Sequence, residues 1–112
     1  MKRCRVVKPH RRTYPDPLIV KQGDEVTIIE RDEDYPGWIW CSDKNDKSGW
    51  VPEAFMQIDG ETATMKRDYT ALELNAAEGE PLNILEEESG WVFCKNREGE
   101  KGWVPSENVE IP

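Results

Sequence analysis

No run of apolar residues in this 112-residue chain exceeds about four. A membrane-spanning helix needs roughly 20, so none is expected. There is one histidine, His10, and there are three cysteines, Cys4, Cys41 and Cys94, with no Cys-x-x-Cys or paired-histidine spacing among them. A metal site made of such ligands needs closely spaced pairs, so neither a metal nor a cofactor is expected. The chain also has no phosphate-cradling glycine loop and no serine in an elbow-like setting. Units of this size leave little room for a pocket of roughly 300 Å3 or more. Catalysis is therefore not expected. The opening segment has charge but lacks the apolar core of a signal peptide, which points to a cytoplasmic protein with reduced thiols.

Charge is plentiful and unevenly placed. The net charge is −8. Residues 1–60 carry ten Lys/Arg and eleven Asp/Glu, whereas residues 61–112 carry five and twelve. The first twelve residues hold six cations (Lys2, Arg3, Arg5, Lys8, Arg11, Arg12) and no acid. Affinity for nucleic acid is dominated by phosphate neutralisation, so an acidic chain of this kind is not expected to bind it. With 37% hydrophobic and 34% charged residues, small folded cores are within reach.

What is present is a repeat. Gly37-Trp38-Ile39-Trp40-Cys41 through Gly49-Trp50-Val51-Pro52 returns without a gap as Gly90-Trp91-Val92-Phe93-Cys94 through Gly102-Trp103-Val104-Pro105, with seven of sixteen positions identical. Upstream, the stretch 17–30 aligns with 73–86 at an offset of 56 rather than 53, so the extra residues lie in the loop 31–36. Each copy is about 50 to 55 residues, near the lower limit for independent folding, and two small domains are expected, 1–58 and 62–112. The segment 57–61, with Asp59-Gly60 as a turn, is the expected linker.

The pattern within each copy is that of strands. Val26–Glu30 and Leu82–Glu86 are short aliphatic runs bounded by glycine and acidic loops. In Trp38–Cys41 and Trp91–Cys94, alternation sends Ile39, Val92, Cys41 and Cys94 to one face and Trp38, Trp91, Trp40 and Phe93 to the other. The cysteines then read as small core fillers, and the large aromatics are expected to face out. Turn formers at 43–46 and 96–99 close hairpins. Pro52 and Pro105, lacking a donor, end the returning strands. The fold class expected is all-β: two tandem, small, five-stranded antiparallel barrels.

These residues resemble the Src homology 3 (SH3) family, twice over, along nearly the whole chain. Asp68-Tyr69 is similar to the end of that family's Ala-Leu-Tyr-Asp-Tyr motif, and Gly102-Trp103-Val104-Pro105-Ser106 is similar to its Gly-Tyr-Ile-Pro-Ser. The overall form resembles small bacterial proteins built of two variant SH3 domains. The resemblance implies a groove of aromatic rings that holds a proline-rich segment in the polyproline II form, with an acidic loop pairing to its Lys or Arg. It places Trp38 and Trp91 at the specificity tryptophan, Pro52 and Pro105 at the groove proline, and Trp50 and Trp103 at the preceding aromatic. Phe55 falls at the last groove aromatic of the first repeat and Tyr69 at a groove tyrosine of the second. Arg67 and Asn108 stand where two further groove tyrosines would be. The ligand-binding site is thus expected to be better formed in the first repeat, with a protein or peptide partner, no nucleic acid, no membrane, and a monomer or weak dimer. The alternative is a structural or self-associating protein whose tryptophan faces are buried.

Overall fold

The computed structural model describes residues 2–14 and 16–112. Its strands are β1 (Lys2–Val6), β2 (Ile19–Val20), β3 (Glu25–Arg31), β4 (Trp38–Ser42), β5 (Ser48–Pro52), β6 (Met56–Asp59), β7 (Thr62–Met65), β8 (Tyr69–Thr70), β9 (Pro81–Glu88), β10 (Trp91–Lys95), β11 (Lys101–Pro105) and β12 (Val109–Glu110). They form two five-stranded antiparallel sheets, β5-β4-β3-β7-β6 and β11-β10-β9-β1-β12, and a short β2-β8 pair. The all-β class is as the sequence indicates. In sequence Tyr14-Pro15-Asp16-Pro17 reads as a rigid turn; Pro15 lies outside the described residues.

Sheet order departs from the repeat. β7 belongs to the second copy in sequence, yet it pairs with β3 and β6 of the first. β1 opens the first copy, yet it pairs with β9 and β12 of the second. The registers are equivalent, since Ala63 lies opposite Val26 and Cys4 opposite Leu82, which are repeat partners. The two copies have exchanged their first strands. The units are accordingly a continuous one, Asp16–Ala71, and a split one, Met1–Pro15 with Leu72–Pro112. These differ from the contiguous halves 1–58 and 62–112.

The physical reason lies at the expected linker. Residues 57–61 do not connect two bodies; they form the end of the β6–β7 hairpin, with Asp59 opposite Thr62. Only Gly60 and Glu61 remain in the loop, and Gly60 has φ +65°, as a tight hairpin turn requires at its first central residue. Closing so short a loop costs little chain entropy, so β7 pairs with the strand just before it and the slot beside β12 is left for β1.

Each unit is filled from one face of its strands. In the continuous unit Leu18, Val20, Val26, Ile39, Cys41, Val51, Met56, Ala63 and Met65 are buried. In the split unit the cluster is Cys4, Val6, Leu74, Ala76, Leu82, Ile84, Val92, Cys94 and Val104. The core side of the alternation holds, with Ile39 and Cys41 both at 0% exposure. Both hairpins close with the same device: Asp43 Oδ1 accepts the amides of Asn45 and Lys47, and Asn96 Oδ1 accepts those of Glu98 and Glu100.

Candidate functional site

In the continuous unit, Pro52 ends β5 directly opposite Trp38. A 3-10 turn, Glu53–Phe55, follows and delivers Phe55. β7 then runs into the segment 66–69, anchored where the Lys66 amide donates to the Phe55 carbonyl at 2.8 Å. Pairing of β8 with β2 fixes Tyr69 opposite Val20. As a result Phe55 and Tyr69 meet edge to face, centroids 5.7 Å apart at 68°, a favoured aromatic geometry. The Tyr69 hydroxyl donates to the Trp50 carbonyl at 2.7 Å. The Arg67 guanidinium lies 4.2 Å from the Phe55 ring centroid, a cation–π contact.

The loop before β4 folds back on Trp38. The Trp38 carbonyl accepts the Asp32 amide at 3.0 Å, and its amide donates to the Tyr35 carbonyl at 3.3 Å. Asp32 Oδ1 accepts the amides of Asp34 and Tyr35, so that carboxylate shapes the turn. Glu33 and Asp34 are exposed beside it. Trp38 (4% exposed), Phe55 (6%) and Tyr69 (6%) are all buried, and so is Pro52.

The split unit shows the same frame with other side chains. Trp91 stands opposite Pro105, and a 3-10 turn, Ser106–Asn108, follows. The Val7 amide donates to the Asn108 carbonyl at 2.8 Å, as Lys66 does to Phe55. His10 bridges Ala76, the repeat partner of Val20. By this register Lys8 stands at the place of Arg67, His10 at that of Tyr69 and Asn108 at that of Phe55.

These substitutes hold the N-terminal segment. Asn108 Nδ2 donates to the Pro9 carbonyl at 3.3 Å. His10 Nε2 lies 2.8 Å from Glu73 Oε1, and the Thr13 hydroxyl donates to the same oxygen at 3.3 Å. Arg12 Nε donates to the Glu73 carbonyl and the Arg12 amide to Asn75 Oδ1. His10 meets Trp91 edge-on at 5.7 Å.

The expected outward aromatics are therefore only partly outward. Trp40, Trp50, Trp91 and Phe93 are half-buried, but Trp38 and Trp103 (3%) are buried. The Trp103 backbone is paired within its own unit, its amide donating to the Leu72 carbonyl and its carbonyl accepting the Leu74 amide. Alternation fixes the direction of a side chain, not what is laid across it. Trp40 and Trp50 pack edge to face at 5.0 Å, and Phe93 and Trp103 pack tilted, at 5.1 Å and 51°.

Of the expected site residues, Trp38, Trp50, Pro52, Phe55 and Tyr69 come together in the continuous unit; Trp91, Trp103 and Pro105 lie in the split one. Tyr69 thus joins the first repeat's residues and not those of its own repeat. His10 and Glu73 were missed. A weak signal existed, since a constant offset of 59 aligns Cys4, Val6 and Lys8 with Ala63, Met65 and Arg67, and also His10 with Tyr69.

The described residues contain no group of three or more His, Cys, Asp or Glu able to hold a metal ion. Burial pushes the thiols of Cys41 and Cys94 up to about 12 and raises that of Cys4. A thiol held protonated is a poor nucleophile.

Two five-stranded antiparallel units, each with a tryptophan opposite a strand-ending proline and a 3-10 turn after it, define a class of small β-barrel domains. The chain belongs to the SH3 family: the variant SH3 domain model matches residues 3–59 and the SH3 domain model residues 68–106. Over 55 residues, 49% of this chain, it is 34% identical to SH3 domain-containing kinase-binding protein 1 of Homo sapiens. The same figures hold for the protein of that name from Mus musculus. The match spans 8% of the length of those relatives. No solved structure matches the chain. No helix among the described residues is long and apolar enough to cross a membrane.

Proposed function

We propose that this chain is a non-enzymatic protein-binding module that takes an extended, proline-containing segment at the continuous unit, on the walls formed by Trp38, Pro52, Phe55 and Tyr69. The observation that carries the reading is an internal comparison. The split unit forms the same five-stranded sheet with His10 and Asn108 at the places of Tyr69 and Phe55, so the fold does not require rings there. Where rings do stand, Phe55 and Tyr69 meet at 5.7 Å, and Phe55 follows three residues after Pro52, which pairs with Trp38. Flat walls suit a proline ring, and a preformed polyproline II segment loses little entropy on binding. The exposed Glu33 and Asp34 favour a Lys or Arg at the Trp38 end of the ligand. The name of the relatives, SH3 domain-containing kinase-binding protein 1, fits a module that recognises another protein.

A second reading is favoured by the low exposure of Trp38, Phe55 and Tyr69: the rings serve the fold, and any partner binds elsewhere. Titration of labelled protein with a proline-rich peptide bearing an arginine, followed by indole and aromatic NMR signals, separates the two. The first reading expects saturable shifts at Trp38 and Phe55, with Trp91 unmoved. Phe55→Leu, which keeps apolar volume but removes the flat wall, is expected to weaken binding by about 2 kcal/mol while the protein stays folded. Signals that do not move with any such peptide would decide for the second.

A further inference from the structure

We propose that the outer face of the split unit carries a second binding surface, a row of cations across four strands that takes an extended acidic segment of a partner protein. Lys101 on β11 stands directly opposite Lys95 on β10, Lys95 opposite Asn83 on β9, and Asn83 opposite Arg3 on β1. Lys95, Lys101 and Arg3 are exposed and Asn83 is half-buried. Their strand neighbours Cys94 and Cys4 lie in the core, so alternation turns the row outward. Like charges directly opposite each other on neighbouring strands are destabilising, and Lys95 faces Lys101. Among the described residues, no ion pair or side-chain hydrogen bond engages Arg3, Lys95 or Lys101. Negative charge from outside the chain relieves that repulsion.

The fold does not ask for these cations. At the matching places of the continuous unit the row reads Ser48, Ser42, Thr27 and Thr62, in the same register and without charge. The acids nearest in sequence have other partners: Glu100, beside Lys101, accepts from Asn96 Nδ2, Glu80 accepts the Ala77 amide, and Glu110 stands opposite Arg5. Neighbouring strands lie about 4.8 Å apart, so the row is roughly 14 Å long. One phosphate group does not reach both ends. An extended chain rises about 3.3 Å per residue and sends alternate side chains to one side, so acids at three alternate positions span about 13 Å. The Asn83 amide adds a donor between the cations. A nucleic-acid strand brings further phosphates, which three cations on a chain of net charge −8 do not neutralise. The field of that net charge is screened beyond about 8 Å at physiological salt, and direct contact with the row falls inside this limit.

The experiment titrates the labelled full chain with a short proline-free peptide carrying Glu at alternate positions, and with its Gln twin, and follows the amide signals by NMR. Saturable shifts are expected at Arg3, Asn83, Lys95 and Lys101 with the Glu peptide alone, while Trp38 and Phe55 stay unmoved. Each exposed cation removed is expected to weaken binding about threefold, so Lys95→Gln with Lys101→Gln together should raise Kd about tenfold. These positions are exposed, and the unchanged amide spectrum of the variant reports that it is folded. Lys44→Gln with Lys66→Gln removes the same charge from exposed places elsewhere and should leave Kd unchanged. An equal loss in that control would reduce the effect to net charge and overturn the proposal. Equal binding of the Glu and Gln twins, shifts confined to other residues, or no binding of the Glu peptide would overturn it too. So would tighter binding of a single-stranded oligonucleotide with the same number of charges. None of these outcomes touches the aromatic site, which the proline-free probe does not test.

Discussion

Cys41 and Cys94 occupy repeat-equivalent places in the two cores, each at 0% exposure, with their thiols pushed up to about 12 by burial. In the unfolded chain the same groups ionise from about pH 9. Between those values the unfolded state has lost a proton that the native state keeps, so stability falls as pH rises. The slope is about 1.4 kcal/mol per pH unit for each thiol. Urea midpoints of the protein and of Cys41→Ala, taken from pH 8 to 10.5, test this. The variant starts from a lower level because of its cavity, but its decline is expected to be shallower by about one thiol's slope; parallel declines would refute the assignment. These cysteines were legible as core fillers because strand alternation pairs them with Ile39 and Val92. The burial of Trp38 was not, because it depends on what is laid across the ring, and that leaves no periodic trace.

Strands and hairpins were readable from local chemistry, whereas their partners were not. β1 and β7 are both short, mixed strands that bury alternate residues, Cys4 and Val6 in one, Ala63 and Met65 in the other. Each fits the slot beside Val26 or Leu82 equally well by pattern, so the choice falls to the connection. The Gly60-Glu61 turn makes that choice by closing β6 onto β7. Gly60 has φ +65° with open space at its Cβ position, so alanine there meets backbone strain and no clash. Gly60→Ala is expected to cost about 1 to 3 kcal/mol, read as a lowered Tm and faster amide exchange in β6 and β7, while β4 and β5 keep their protection until global unfolding. Gly23, which also has positive φ and open space but lies outside this hairpin, serves as the control: Gly23→Ala should leave the exchange pattern of β6 and β7 unchanged.

Exchange of first strands bears on the site as well as on the chain path. With β1 in its own repeat, His10 would stand beside Phe55, and Tyr69 would stand beside Asn108. The observed pairing instead gathers both rings in one unit and the polar pair in the other, so one unit has an aromatic set and the other holds the N-terminal segment through Asn108–Pro9 and His10–Glu73. Repeat-based reading could find every one of these residues and still assign Tyr69 to the wrong partners, because pairing between distant strands is decided by competing loops and not by local composition. The two arrangements differ in contacts that a single measurement reads. In the exchanged chain the backbone protons of Cys4 lie opposite Leu82 and those of Ala63 opposite Val26. NMR cross-strand contacts are therefore expected between Cys4 and Leu82 and between Arg3 and Asn83, with none between Cys4 and Val26. Contacts of Cys4 with Val26 would show that each repeat keeps its own first strand; Phe55 would then face His10, and the aromatic site proposed for the continuous unit would lose Tyr69.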